Sequence, residues 1–276
     1  IKLFLSVNLK FKLERKPIIR LLLVVGRMFA RLARRRALVL HGKYQDPDKM
    51  RGFIRRASPR LADLFEDAVF VPAPFEEMPK VVATKKRKAE GMPALDPRQF
   101  RVWWRDGRER EDFETCKGLL RQYLTDTDVI VGFSQGASLA SLLLTRPVSE
   151  ELSFSPKLAI LCAGYPLSCE WSLSLLEQGS HTTPPPRVIA IAGNSDKVVH
   201  SSKIAKLASY FSGADLLRHS GGHCFARDNN IDSRIEQEVM NLELSEMNYQ
   251  INGVLNSTNS WGEGFRSHCS DSVVDE

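Results

Sequence analysis

The stretch that most constrains this chain is Val129-Ile130-Val131-Gly132-Phe133-Ser134-Gln135-Gly136-Ala137-Ser138-Leu139-Ala140, an apolar run that meets Gly-x-Ser-x-Gly and continues into helix-forming residues. It reads as strand, sharp turn, helix. In such an elbow the serine occupies a strained backbone conformation, and the flanking glycines let strand and helix approach without a Cβ clash. Ala137, Leu139, Ala140 and 142–144 favour helix after the turn, so the context supports the motif. The plainer alternative is a glycine-rich turn whose serine only caps a helix.

Around that elbow, strand-like and helical segments alternate. Residues 37–42, Ala-Leu-Val-Leu-His-Gly, suit a central parallel strand buried on both faces. Residues 48–66 have helical spacing, with Pro59 implying a kink or break. Further strands are expected at 67–71, 128–133, 157–162, 187–193 and 214–218. Helices are expected at 108–124 and 201–211, with a closing amphipathic helix at 231–244. This alternation predicts an α/β architecture of three layers: a mostly parallel sheet of about six strands with helices on both faces. Active sites of such sheets form at the strands' carboxyl ends. There His41, Ser134, Asp196 and the segment of His223 would share one edge.

The organisation expected is an N-terminal extension (1–36), a domain (37–248) and a disordered tail (249–276), where Asn, Ser, Gly and acids dominate. The extension holds eleven Lys and Arg against Glu14 alone, a local excess above the whole chain's +6. The remainder is mildly acidic, which argues against a nucleic-acid-binding core. Within the extension, the spacing of 16–34 predicts a cationic amphipathic helix resembling a matrix-targeting presequence, although serine is scarce. Its uninterrupted apolar run, 21–25, is too short to span a bilayer. The chain opens on Ile1 and not Met, which leaves open whether the natural start lies upstream.

Five cysteines without metal spacing read as reduced thiols, which points to the cytoplasm, with mitochondrial import as the alternative. A nuclear alternative rests on Lys85-Lys86-Arg87-Lys88. That run lies in 72–107, a proline-punctuated stretch expected to be a long loop or lid above the sheet. Its Trp103-Trp104 pair would either line an apolar substrate groove or anchor the loop to the core. Neither a metal site nor a bound cofactor is expected, and the oligomeric state is not readable.

A serine hydroxyl needs an adjacent base that is itself oriented by a carboxylate. After Ser134 the chain offers Gly193-Asn194-Ser195-Asp196 beyond a strong strand, then Ser220-Gly221-Gly222-His223. Asp196 is the acid and His223 the base in this reading, in the order serine, acid, histidine. The paired glycines would let the backbone swing His223 toward Ser134. The oxyanion donors would be the backbone N–H groups of Gln135 and Lys43. Tyr44, Trp103 and Trp104 are candidate substrate contacts, and His41 is expected to shape its loop through hydrogen bonds.

His41-Gly42-x-x-Gln45, Trp103-Trp104, Gly132-Phe133-Ser134-Gln135-Gly136-Ala137, Gly193-x-x-Asp196-x-Val198-Val199 and Ser220-Gly221-Gly222-His223 together resemble the FSH family of serine hydrolases, and within it the ovarian-cancer-associated esterase branch. The resemblance covers residues 37–244. It implies an α/β-hydrolase without metal or nucleotide that acts on small-molecule carboxylic esters or thioesters, often with long acyl or alkyl chains. By the same motifs Ser134, Asp196 and His223 take the triad roles. Acyl transfer on the same fold and a catalytically silent binding role are the alternatives. Lys43 departs from the aromatic or other bulky residue common there, and Cys224-Phe225-Ala226 replaces a stretch with Pro.

Overall fold

The computed structural model describes residues 37–79, 96–179, 185–225 and 228–266. The chain divides into two units. One is 35–240; the other comprises 1–34 and 241–276, of which 241–266 are described and helical. The amphipathic extension and the Lys85-Lys86-Arg87-Lys88 run lie outside the described residues.

The described strands of the first unit are β1 (Ala37–Leu40), β2 (Val69–Val71), β3 (Phe75–Glu76), β4 (Arg101–Val102), β5 (Val129–Phe133), β6 (Leu158–Cys162), β7 (Arg187–Gly193) and β8 (Asp215–His219). Six of them form a parallel sheet in the spatial order β2-β1-β5-β6-β7-β8. All six strands expected from the sequence are present in it. Every residue of β1, β5 and β6 is buried, as two-sided helix cover demands of Val, Ile and Leu runs. The sheet grows to one side of β1 with β2 and then to the other with β5, so the chain changes direction between β1 and β5. Crevices at the carboxyl ends of α/β sheets open at such a switch point.

The helix pattern is more finely divided than periodicity alone suggests. Residues 48–66 break at Pro59, as the sequence implies, into Pro47–Ala57 and Pro59–Leu64. Each begins with proline in its first turn, where a missing N–H costs nothing. The Asp46 carboxylate accepts from Lys49 N–H, and the Ser58 hydroxyl oxygen accepts from Leu61 N–H, closing the two N-termini. Ser58 also donates to the buried Asp232 carboxylate at the start of the last helix. Two short helices, Arg146–Leu152 and Glu170–Glu177, have no counterpart in the sequence reading.

The last helix runs from Asn229 to Arg266 instead of ending near 244, so 249–266 of the tail expected to be disordered are helical. No proline follows Pro186, so nothing in the covalent backbone breaks the helix there.

The described parts of 72–107 are not a free loop. Strands β3 and β4 pair antiparallel, and Gln45 bridges to Arg101. Residues 80–95 between them lie outside the described residues. Among the described residues no helix is long and apolar enough to cross a membrane.

Candidate active site

The parallel register brings the strand ends into line: Leu40 lies beside Gly132, Phe133 beside Cys162, Cys162 beside Ile191 and Gly193 beside His219. The residue after β5 is Ser134, with φ 53° and ψ −118°, immediately before the helix Gln135–Leu143. A side chain at positive φ is strained, and the surroundings hold it there. Ser134 N–H donates to Cys162 O (2.8 Å), and Ser134 O accepts from Ala137 N–H (3.0 Å). Glycine is required on both sides. A Cβ at Gly132 would stand 2.4 Å from Ala137 Cα, and one at Gly136 would stand 2.3 Å from Leu40 O. Strand β1 therefore packs directly against the elbow helix.

His223 closes on this serine. Its Nε2 lies 3.1 Å from Ser134 Oγ, and its Nδ1 lies 2.8 Å from Asp196 Oδ2. A carboxylate only accepts, so Nδ1 carries the proton and Nε2 presents its lone pair to the hydroxyl. The Asp196 side chain is fully buried, and its Oδ1 accepts from Val198 N–H (2.8 Å) and Val199 N–H (2.9 Å). Burial pushes its pKa up, but hydrogen bonds from Val199 N–H, the His223 ring and Val198 N–H outweigh that and hold the carboxyl below its usual range. The three residues expected from the sequence thus form one hydrogen-bonded file.

Neither Gly221 nor Gly222 takes positive φ, and the shortage of room falls on Gly221 and on the facing Gly193, since a Cβ at Gly222 would meet nothing nearer than Ser195 O at 3.5 Å. A Cβ at Gly221 would sit 2.9 Å from His219 Nδ1, and the Gly222 carbonyl oxygen would stand 2.4 Å from a Cβ at Gly193. The acid loop and the histidine loop therefore touch backbone to backbone. The Cys224-Phe225 departure does not displace His223. Phe225 is fully buried, its ring centroid 6.3 Å from that of Phe133, which in turn packs 4.9 Å from the His223 ring.

Gln135 directly follows the serine, and Lys43 lies in the loop after β1. Among the described residues neither backbone N–H is engaged by a hydrogen bond, whereas the next two in the β1 loop are: Tyr44 N–H donates to Arg101 O (2.8 Å) and Gln45 N–H to Gly42 O (3.2 Å). Lys43 Nζ donates to Asp106 Oδ1 (2.8 Å) and stands 3.7 Å from Glu77 Oε1. Tyr44 takes φ 63° and donates its hydroxyl to Glu77 Oε1 (3.2 Å).

Trp103 and Trp104 are 0% and 3% exposed, so they anchor their segment instead of walling an open groove. The Trp103 indole donates to His41 O (2.8 Å), and its backbone N–H donates to the Gln135 side-chain oxygen (2.8 Å). His41 itself is locked neutral: Nδ1–H faces Gly42 O (2.8 Å), and Nε2 accepts from Ala73 N–H (3.0 Å). Burial lowers its pKa to about 4. Two contacts escape a reading of the sequence: the Phe133 ring against His223, and the Gln135 amide between the backbones of the tryptophans. They join residues far apart in the chain, and no local spacing announces them.

A family model described as "Serine hydrolase (FSH1)" matches residues 31–235, well over half of the chain. The chain belongs to the FSH1 serine hydrolase family. It is 29% identical to Esterase OVCA2 of Xenopus tropicalis over 210 residues, covering 68% of this chain and 84% of that protein. It is 26% identical to Esterase GA18864 of Drosophila pseudoobscura pseudoobscura over 237 residues, covering 76% of this chain and 75% of that protein. Among solved structures, a Bacillus cereus carboxylesterase aligns with a TM-score of 0.47 at 18% identity, covering 75% of this chain and 88% of that one. Membership of the FSH1 family makes this chain a hydrolase of the serine type, and ester hydrolysis is the general activity supported.

Proposed function

We propose that this FSH1 family member is a serine carboxylesterase or thioesterase, acting on medium- or long-chain acyl or alkyl substrates through an acyl-enzyme on Ser134. The observation that carries the reading is the file Ser134–His223–Asp196, with the serine at φ 53° and the histidine Nε2 lone pair aimed at its hydroxyl. Ser134 Oγ attacks the acyl carbonyl carbon while His223 Nε2 takes its proton, and Asp196 stabilises the imidazolium. The oxyanion accepts from Gln135 N–H and Lys43 N–H. The intermediate collapses, and His223 returns the proton to the departing alcohol or thiol. Water, deprotonated by the same nitrogen, then attacks the acyl carbonyl and frees Ser134.

Preorganised acceptance of developing charge and proton transfer from a positioned base supply most of the rate in such a sequence. Acyl transfer would differ only in the nucleophile of the second step. A silent binding protein on the same scaffold is the contrasting reading. The strained serine argues against it, since a binder has no use for that conformation. Fluorophosphonate labelling of the wild type, lost in Ser134→Ala, is the expected result; a folded wild type that takes no label refutes the proposal. Rates on matched p-nitrophenyl esters and acyl thioesters of graded length then assign the leaving atom and the chain length.

A further inference from the structure

The Gln135 side chain is 1% exposed and has no part in the proposed reaction. Both ends of its amide are nevertheless engaged, and by consecutive residues. Oε1 accepts from Trp103 N–H (2.8 Å), and Nε2 donates to Trp104 O (2.9 Å). The tryptophan segment is itself tied down at three further points. The Trp103 indole donates to His41 O (2.8 Å), the Cys116 thiol donates to Trp103 O (3.0 Å), and Arg105 N–H donates to the buried Asp112 carboxylate (2.9 Å). Burial pushes the Cys116 pKa far up, so that thiol keeps the proton it donates.

The other oxyanion donor leans on the same strap. Lys43 N–H precedes Tyr44, whose φ of 63° is held by Tyr44 N–H donating to Arg101 O (2.8 Å). Arg101 N–H returns a bond to Gln45 O (3.3 Å), and Lys43 Nζ reaches Asp106 Oδ1 (2.8 Å). Segment 101–106 therefore touches the β1 loop on one side and the elbow helix on the other. Strands β1 and β5 fix where the two loops begin, but the donors lie beyond the ends of both strands.

We infer that the strap 101–106 sets the separation and direction of the two oxyanion donors, and that the Gln135 amide is its positioning residue on the nucleophile side. This rests on the reading of Gln135 and Lys43 N–H as the oxyanion hole. It gives the buried tryptophans a role in rate without substrate contact. Its signature is selective for the transition state, because a donor displaced by a fraction of an ångström meets the oxyanion badly and leaves ground-state binding untouched.

The test compares wild type with Gln135→Met, which keeps the length and loses both bonds. kcat and KM are measured on a p-nitrophenyl ester, together with Ki for an alkyl trifluoromethyl ketone whose adduct on Ser134 carries the oxyanion. Misplacement by about 1 Å costs on the order of 100-fold. The expected result is a kcat lower by about 10- to 100-fold and a Ki raised by a similar factor, with KM changed by less than about twofold. A role in packing alone would lower the melting temperature and leave kcat per folded site alone. A kcat within about twofold of wild type, or a kcat loss without a rise in Ki, overturns the inference. If Gln135→Met is insoluble, Trp103→Phe, which loses the indole N–H bond to His41 O together with one ring of the buried indole, is read by the same kcat and Ki criterion, with about a three- to tenfold effect. Wild type that takes no fluorophosphonate refutes the hydrolase reading and this inference with it. Labelled wild type alongside an unaffected variant refutes the inference alone.

Discussion

Replacing Asp196 by Asn tests the histidine's role most directly, because the surroundings dictate how the amide sits. Asp196 Oδ1 accepts from Val198 N–H (2.8 Å) and Val199 N–H (2.9 Å), while Oδ2 accepts from His223 Nδ1 (2.8 Å). An amide nitrogen turned toward the valines would leave two backbone N–H donors unpaired, at about 1–3 kcal/mol each. Turned toward His223, it only asks the ring to exchange tautomers, which costs far less. The NH2 group therefore faces Nδ1, Nδ1 becomes the acceptor, and the ring proton moves to Nε2.

In that tautomer His223 Nε2 donates to Ser134 Oγ across 3.1 Å and cannot take its proton. Loss of the correct tautomer lowers kcat by about 10,000-fold, or about 5 kcal/mol of transition-state stabilisation. Initial rates on a p-nitrophenyl ester, per mole of folded protein, measure it. KM should hold, because substrate does not touch Asp196 in the proposed mechanism. A kcat within about tenfold of wild type would refute the assignment of Asp196 as the group that orients His223.

Two further outcomes are expected. Ser134→Gly should melt above Ser134→Ala by about 2–4 °C, because glycine relieves about 1–3 kcal/mol of backbone strain, more than the roughly 0.5–1 kcal/mol by which an ordinary site favours alanine, for a net gain of about 1 kcal/mol. Calorimetry decides it, and a higher-melting alanine variant would mean that the elbow is unstrained. His41 makes stability depend on pH. Its folded pKa of about 4 lies below the ordinary 6.5, so only the unfolded chain binds this proton between those values. Stability is therefore lost as pH falls through that window, by about 2–3 kcal/mol between about pH 7 and pH 4.5. Urea unfolding should show a smaller loss over that range in His41→Gln; equal losses would show that His41 does not titrate differently on folding.

Strands and the order of the reacting groups are legible in the sequence because they are properties of short stretches. Val129 to Phe133 can only be a buried strand in a chain of this kind, and Gly132 and Gly136 mark where a strand and a helix must nearly touch. Serine, acid and histidine each follow a strand, so strand alternation alone carries them to one edge. The closing helix is less legible, since composition after 252 describes solubility and not the absence of a breaker.

What only the tertiary structure decided concerns contacts between distant residues. Two readings of Trp103-Trp104 are equally compatible with the sequence, because an aromatic pair fits a groove or a core. Burial and the bonds to His41 and Gln135 select the second. The Gln135 amide finds its partners about thirty residues upstream, and Phe133 meets His223 about ninety residues on, separations at which no periodicity survives. Local sequence determines which backbone conformations are available. Which side chain then satisfies which buried donor is settled only when the sheet has brought the loops together, since a buried polar group must be paired wherever the fold leaves it.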